Sequence, residues 1–346
     1  MTETSTVMDA SDLVERALAL HERSIVIDTR DPTFLVYRQM GGEKPEYWHA
    51  LTSGGVTAVL VDVPWIDDGL KAAALNFASW FERLEANSDK AMLVRTSDDI
   101  RAAKAAGKVG IIFGAQTPTI IDGELSLLRV LHALGLRVMQ MSYQARNLLA
   151  DGCGESHDGG VSNFGRTAIA EMNRLGIAID LSHASDLTMI QTIAASTMPV
   201  FFSHSNARSA VAHRRNVPDE TLRLLADKGG VCCVSAYSDF VAPNGSATGT
   251  TVEQFAEMVR HVVNIVGIDQ VGFGLDTGES RTRAEIDFIA GVIGGGADVS
   301  KRYALTSRSE LPTFTRALLG VGFTEDETEK ILGLNLVRYF GEVWRA

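Results

Sequence analysis

The stretch Ile177–His204, IAIDLSHASDLTMIQTIAASTMPVFFSH, decides the predicted fold. It contains two short apolar runs, Ile177–Leu181 and Pro199–Phe202, and each run is followed directly by Ser-His. The length of these runs and their β-branched or aromatic content are typical of buried strands. Between them, Asp186–Ala195 has helical spacing and polar N-cap residues at its start. The stretch is therefore predicted to form one strand–helix–strand unit.

His183 and His204 follow the two predicted strands at equivalent positions. Because neighbouring parallel strands lie about 5 Å apart, the two imidazoles are expected to converge on one metal ion or one substrate atom. A single histidine after a strand is more often structural, but its repetition in consecutive units favours a shared site.

The alternation of apolar runs and helical patterns extends over most of the chain. The predicted strands are Ile25–Asp28, Val56–Val63, Val109–Phe113, Leu136–Ser142, Ile177–Leu181, Pro199–Phe202, Gly230–Ala236 and Val271–Leu275. Continuous apolar strands that alternate with helices are typical of a parallel sheet covered on both faces. The predicted fold class is therefore α/β, a (β/α)8 TIM barrel. An open doubly wound sheet would need a glycine-rich phosphate-binding turn after the first strand, and Asp28-Thr29-Arg30 has none.

The chain has 346 residues, and barrels of more than 250 residues commonly form one domain. Residues 1–346 are predicted to be a single barrel domain. Residues 1–10 are expected to be a loose N-terminal leader, and residues 311–346 are expected to be helices that pack on the barrel. Tyr339 and Trp344 on these helices suggest apolar surface for a homodimer.

Charge and cysteine content exclude several classes of partner and location. The net charge of −11 argues against a nucleic acid or an anionic membrane as partner, and no apolar run approaches the 18 residues of a membrane span. Three cysteines, two of them adjacent, do not form a disulfide framework. With no signal-peptide pattern at the N-terminus, a cytoplasmic protein that acts on a small molecule is expected.

Several motifs resemble the membrane (renal) dipeptidase family of metallopeptidases, a branch of the amidohydrolase superfamily. They are EMNRLGIAIDLSH at 171–183, SHSNAR at 203–208, HRRNVPDETL at 213–222, GFGLD at 272–276 and GGVTAVLVDV at 54–63. The resemblance runs from about residue 25 to the C-terminus. It implies a barrel that hydrolyses dipeptides, or related amides and lactams, with two bridged zinc ions.

The resemblance also implies roles for individual residues. His183 and His204 would be the imidazole ligands of one metal, and Arg215 would bind the substrate carboxylate. Asp276, at the end of the eighth strand, would touch the second metal and carry the proton.

The sequence departs from the family pattern at three other strand ends. The family carries a His-x-Asp pair of ligands after the first strand, whereas this segment is Asp28-Thr29-Arg30-Asp31-Pro32, without a histidine and with Arg30 in the place of a metal ligand. Phe113 stands where the third strand should end in the bridging glutamate, and Tyr143 stands where the fourth should end in a histidine. The second metal site has therefore lost most of its ligands, and one zinc ion is predicted.

The third ligand of that ion remains open on the sequence. The candidates are Asp276, Asp28, Gln116, Cys153, Glu155 and His157. A hydrolytic zinc ion normally has three protein ligands and a water.

The remaining site residues have predicted roles and structural alternatives. Asp276 and Tyr143 are the predicted catalytic residues, as proton acceptor and as hydrogen-bond donor to the developing oxyanion. Arg215, Arg30 and Gln116 are predicted to bind substrate; alternatively, Arg30 forms a salt bridge with Asp28 or Asp31.

Three functions are compatible with these residues. The favoured one is a metal-dependent hydrolase that cleaves the C–N bond of a peptide or amide in a small carboxylate-bearing substrate. The alternatives are a lyase or decarboxylase with one metal ion, and a catalytically inactive ligand-binding homologue.

Overall fold

Parallel strands follow one another around a barrel in the computed structural model, which describes residues 10–34, 46–64, 66, 68–279 and 301–344. Within these ranges the strands are β1 Ile27–Asp31, β2 Ala58–Asp62, β3 Ala91–Leu93, β4 Val109–Ala115, β5 Leu136–Gln140, β6 Ala178–Asp180, β7 Phe201–Phe202, β8 Val231–Ser235 and β9 Val271–Gly274. The helices are α1 Ala10–Arg23, α2 Glu46–Ser53, α3 Leu70–Ala86, α4 Ser97–Ala105, α5 Ser126–Leu134, α6 Asn163–Leu175, α7 Asp186–Ala195, α8 Asp219–Asp227, α9 Ser238–Val241, α10 Gly245–Thr248, α11 Val252–Val266, α12 Leu311–Gly320, α13 Glu325–Glu329 and α14 Asn335–Val343, with a π-helical turn at Lys330–Leu334.

The strands pair in the order β1-β2-β4-β5-β6-β7-β8-β9, and all these pairings are parallel. The two ends of the sheet meet where the backbone N–H of Asp276 donates to the carbonyl of Arg30 at 3.2 Å. The sheet is therefore a nearly closed eight-stranded barrel, and the predicted TIM barrel is confirmed. The additional strand β3 pairs with β4. It was not predicted because three residues are too few to show a period.

Several predicted strand ends are wrong: β1 continues to Asp31 instead of ending at Asp28, and β5 ends at Gln140 instead of Ser142. β4 continues to Ala115, so Phe113 lies inside the strand. Its ring is fully buried and makes edge contacts with Phe77 and Phe81 of α3. The side chain that follows this strand is Gln116.

The strands carry an apolar layer and then a polar layer into the barrel. Successive side chains of a strand point to opposite faces, so residues two apart share a face. Leu60, Ala178 and Phe201 belong to one buried apolar cluster, which includes the C-terminal helix. The polar residues two positions further along each strand are Asp62, Asp180 and Ser203, all fully buried. Charged groups therefore lie directly above the apolar interior.

The C-terminal helix α14 packs against this apolar interior. The rings of Tyr339 and Phe340 contact Phe201 at centroid distances of 5.1 and 6.0 Å, and Trp344 stacks on Phe340. Tyr339 and Trp344 are buried within one chain. The apolar surface that suggested a homodimer is therefore used inside the monomer, and that basis for the dimer is wrong.

Two other expectations concern the cysteines and a membrane span. Cys232 and Cys233 are buried free thiols in β8, and Cys153 is also a free thiol. Within the described ranges, none of the helices has both the length and the apolar character needed to cross a lipid bilayer.

Candidate metal and substrate site

The candidate site lies at the carboxyl ends of the barrel strands, where the chemistry of TIM barrels is found. His183 follows β6, His204 follows β7 and Asp276 follows β9. His183 and Asp276 adopt φ angles of +67° and +59°. A left-handed conformation is uncommon for such residues and is found at functional sites whose surroundings hold it in place.

The two imidazoles meet, as their positions after adjacent strands predicted. The Nε2 atoms of His183 and His204 lie 2.9 Å apart, and the ring centroids lie 5.0 Å apart. Both side chains are buried. Their convergence follows from the parallel pairing of β6 and β7, which places the ends of the two strands side by side.

A hydrogen-bonded chain orients the ring of His204. Ser203 Oγ lies 2.7 Å from His204 Nδ1 and also donates to the carboxylate of Asp180. A carboxylate can only accept, so Ser203 uses its proton there and accepts from Nδ1–H. His204 Nε2 therefore carries its lone pair toward His183. A histidine held through its other nitrogen in this way is typical of metal ligands.

Burial is the largest influence on both imidazoles and holds the pKa of each well below its usual range. The nearby guanidinium groups of Arg215 and Arg30 lower the pKa values further. Both rings are therefore neutral at pH 7, the form that can bind a metal.

Tyr143 stacks on His183, with ring centroids 4.1 Å apart and an angle of 26°. Burial, and then the charge of Asp276, raise the pKa of the Tyr143 hydroxyl. The phenol therefore stays protonated and can donate a hydrogen bond. Asp276 is also close enough to Arg215 to influence its pKa, after the dominant effect of burial.

Arg215 is a buried cation beside the histidine pair. Its guanidinium donates to the carbonyl of His204 at 3.2 Å and lies 5.3 Å from the ring centroid of Phe240. Among the described residues, no carboxylate forms an ion pair with it. A buried charge without a counter-ion is costly, so this group is suited to an incoming anion.

Arg30 is also buried, but its guanidinium has carboxylate partners. One terminal nitrogen contacts Asp62, and the other lies 3.4 Å from Asp180 and 3.3 Å from Ser203 Oγ. The alternative salt bridge with Asp28 or Asp31 is therefore wrong. These partners favour an internal role for Arg30 over the predicted contact with substrate.

Asp62 and Ser203 had no predicted role, although the sequence contains a signal for Asp62. Asp62 is the only charged residue in the apolar run Val56–Val63. Its side chain also accepts from the amide of Gln116 at 2.6 Å, while Gln116 Oε1 is buried and has no hydrogen-bond partner in the described part of the chain. The contact of Gln116 with substrate remains a prediction.

Asp28 belongs to a second charged cluster. It accepts from the backbone N–H of Leu275 and from Arg308 Nε, at 2.9 and 2.8 Å. Arg308 also pairs with Glu279 and Asp31. Asp28, one of the candidates for the third metal ligand, is therefore hydrogen-bonded at the barrel rim within this cluster.

The loop after β5 is polar, and some of its side chains form hydrogen bonds with other residues of the same loop. Glu155 accepts from the backbone N–H of Arg146 at 2.7 Å, and Cys153 donates to Gln144. A cavity of about 320 Å3 opens between this loop, the start of α7 and the segment after β7; it is lined by Gly152, Cys153, Glu155, Asp158, Ser185, Asp186, Arg208, Ala212, His213 and Arg214.

The donor atoms that converge at the barrel mouth are the two imidazole nitrogens. His183 and His204 supply two neutral nitrogens at one point. In the described part of the chain, no group of three or more His, Cys, Asp or Glu residues could hold a metal. A single ion would therefore have two imidazole ligands, with further positions open to water, substrate or a nearby oxygen.

The chain belongs to the membrane dipeptidase family, Peptidase family M19, whose model matches residues 14–346. The family implies a metal cofactor. Dipeptidase tcpJ from Claviceps purpurea (strain 20.1) is 32% identical over 263 residues, which are 75% of this chain and 57% of that protein. The chain spans about three fifths of the length of the curated relatives it matches.

Solved structures agree with the barrel. An amidohydrolase from Pseudomonas aeruginosa is 32% identical, with a TM-score of 0.86 over 95% of this chain and 99% of that chain. The probable dipeptidase PvdM from Pseudomonas aeruginosa has a TM-score of 0.84 at 20% identity, over 97% of this chain and 99% of that chain, and shows the shared fold.

Proposed function

We propose that this protein is a dipeptidase-like hydrolase that cleaves the C–N bond of a peptide or amide in a small substrate with a free carboxylate. Membership of the M19 family supports the reaction class. The dipeptidases among the matching relatives support the same class.

The proposal depends on one observation: the two imidazoles and a buried guanidinium lie together at the mouth of the barrel. His183 and His204 converge with their Nε2 atoms 2.9 Å apart, and Arg215 donates to the carbonyl of His204 from a buried position. A guanidinium binds a carboxylate through two parallel hydrogen bonds. Arg215 therefore anchors the carboxylate end of the substrate and places the adjacent C–N bond near the imidazoles.

The remaining groups move the proton and stabilise the oxyanion. Asp276 accepts the proton of the attacking water and returns it to the leaving amine. Tyr143, kept protonated by burial, donates a hydrogen bond to the oxygen of the tetrahedral intermediate. The stacking of Tyr143 on His183 fixes the direction of that hydroxyl.

One zinc ion, held by His183 and His204, is the proposed cofactor. When bound, zinc lowers the pKa of a bound water toward 7. The three free thiols are consistent with the proposed reducing cytoplasm. A homodimer remains a prediction.

The test is amine release by zinc-loaded protein from a panel of dipeptides and N-acyl amino acids. Arg215→Lys keeps the charge but loses two-pronged binding, so KM should rise about 10-fold to 100-fold, the equivalent of one charged hydrogen bond. His183→Ala should lose both the bound zinc and the activity.

Arg214→Lys is the matched control, because Arg214 is adjacent to Arg215 but exposed, and its KM should stay within about two-fold of the wild-type value. Masking the substrate carboxylate as an amide should raise KM for the wild type, and should raise it by a smaller factor for Arg215→Lys, which retains the charge but not the two parallel hydrogen bonds. Zinc-loaded protein that releases no amine from any substrate, or releases carbon dioxide instead, would overturn the proposal.

A further inference from the structure

We propose that the guanidinium of Arg30 is an internal cation that occupies a carboxylate site inside the barrel, and that it thereby restricts the barrel mouth to one exchangeable metal ion. The ion at His183 and His204 belongs to the proposed function. The role of Arg30 is judged by the difference in metal content between variants, which requires no hydrolysis.

The first argument is the burial of the charges. The side chain of Arg30 is 1% exposed, and those of Asp62 and Asp180 are 0% exposed. Carboxylates so far from water need a cation or a proton as partner. In this structure one guanidinium contacts both of them.

The second argument is the set of oxygens around that guanidinium. Asp62, Asp180 and Ser203 approach it from β2, β6 and the end of β7. Gln116, from the end of β4, bonds Asp62 through its amide nitrogen and keeps a buried Oε1 without a partner. Carboxylate, hydroxyl and amide oxygens are the ligands that Mn2+ and Mg2+ prefer. Without the guanidinium, the same atoms form a ligand set for a hard divalent cation.

The third argument connects Arg30 to the histidine pair. Asp180 contacts Arg30 and accepts the Ser203 hydroxyl, which in turn holds His204 Nδ1. Arg30 is thus a positioning residue, acting on His204 through two other side chains. A second metal ion cannot share these carboxylates while the guanidinium is bound, because like charges repel strongly at such distances.

The experiment counts manganese by mass spectrometry and electron paramagnetic resonance after equilibration with Mn2+. Arg30→Ala should bind one equivalent more than the wild type, and Arg30→Lys, which retains the charge, should match the wild type. Arg146→Ala is the matched control, because Arg146 makes a two-pronged contact with Asp151 at an exposed position; its metal content should not change.

Stability supplies a second readout. In EDTA, Arg30→Ala should unfold at lower temperature than the wild type, and Mn2+ or millimolar guanidinium should restore it. The double variant Arg30→Met/Asp62→Asn removes both charges of one pair and leaves Asp180 as the single buried carboxylate, so in EDTA it should unfold at a higher temperature than Arg30→Ala, and it should show no extra equivalent.

Several results would overturn the inference. They are an unchanged metal count in folded Arg30→Ala, an extra equivalent in the double variant, or an Arg30→Ala protein that neither Mn2+ nor guanidinium restores. A wild type without any metal would refute the proposed zinc site instead, and Arg30→Ala should then still gain one equivalent.

Discussion

Replacing Arg308 by methionine should destabilise the protein more than any change to its surface ion pairs. Arg308 bonds Asp28 at 2.8 Å and Glu279 at 3.0 Å, and it donates to the carbonyl of Arg30 at 3.0 Å. These contacts join β1 to the segment after β9, where the barrel closes. Arg308→Met would leave buried carboxylates without their cation.

Breaking a buried ion pair from one side costs about 3–5 kcal/mol. At an unfolding entropy of about 2.1 cal/mol/K per residue, that loss lowers the Tm of this 346-residue chain by about 4–7 °C. Arg308→Lys retains the charge but makes fewer hydrogen bonds, so its Tm should lie between those of the wild type and Arg308→Met.

The assay is thermal and urea unfolding followed by circular dichroism, with Arg16→Met as control. Arg16 pairs with Glu325 at the surface, where its side chain is 46% exposed, and such pairs contribute at most about 1 kcal/mol. If the Tm of Arg308→Met lies within about 1 °C of that of Arg16→Met, the charged cluster around Arg308 does not stabilise the closed barrel, and the reasoning is refuted.

Three further predictions concern single residues. Burial, opposed by Arg308, raises the pKa of Asp28 from 3.8 to about 6. The folded protein therefore binds a proton at Asp28 more tightly than the unfolded chain does. The resulting contribution to the free energy of unfolding is complete below about pH 4 and is lost as the pH rises through 6. Relative to Asp28→Asn, the wild type should lose at most about 3 kcal/mol of unfolding free energy between these pH values. If urea unfolding of the two proteins changes with pH in parallel, the prediction is wrong. Phe113→Ala should lower the free energy of unfolding by about 3–5 kcal/mol. It should leave kcat per folded molecule unchanged, because Phe113 lies in the core. A lower kcat in folded protein would show that Phe113 contributes to the site. Gly274→Ala should destabilise the protein by about 1–3 kcal/mol, because the new Cβ would lie 2.1 Å from the carbonyl oxygen of Ser203. Gly320→Ala, at the end of α12 with open space around it, should instead stabilise the protein by about 0.5–1 kcal/mol. Equal urea midpoints for the two variants would refute this contrast.

The parts of the fold that depend on local patterns could be predicted from the sequence. α7 has the predicted bounds Asp186–Ala195, because its apolar spacing and its cap at Ser185 lie within a dozen residues. The approach of His183 and His204 was predictable for a related reason. Two consecutive strand–helix units place equivalent residues side by side whatever the rest of the chain does.

Predictions at the other strand ends were less successful, because strand length depends on pairing. The apolar run after Val109 was expected to end at Phe113, but hydrogen bonds to β2 and β5 extend β4 to Ala115. Two residues of extra strand keep Phe113 in the core and bring Gln116 to the mouth.

The barrel fold, the approach of the two histidines and the family could therefore be predicted from sequence patterns alone, because each depends on the spacing of residues that are close in the chain. Only the tertiary structure decided which carboxylates accompany each buried arginine. Arg30 contacts Asp62 and Asp180 across 32 and 150 residues of chain, and Arg308 reaches Asp28 across 280. Such pairings depend on how the whole barrel closes, because a charge buried far from water takes the counter-ion that the fold brings to it, and not the nearest one in the sequence.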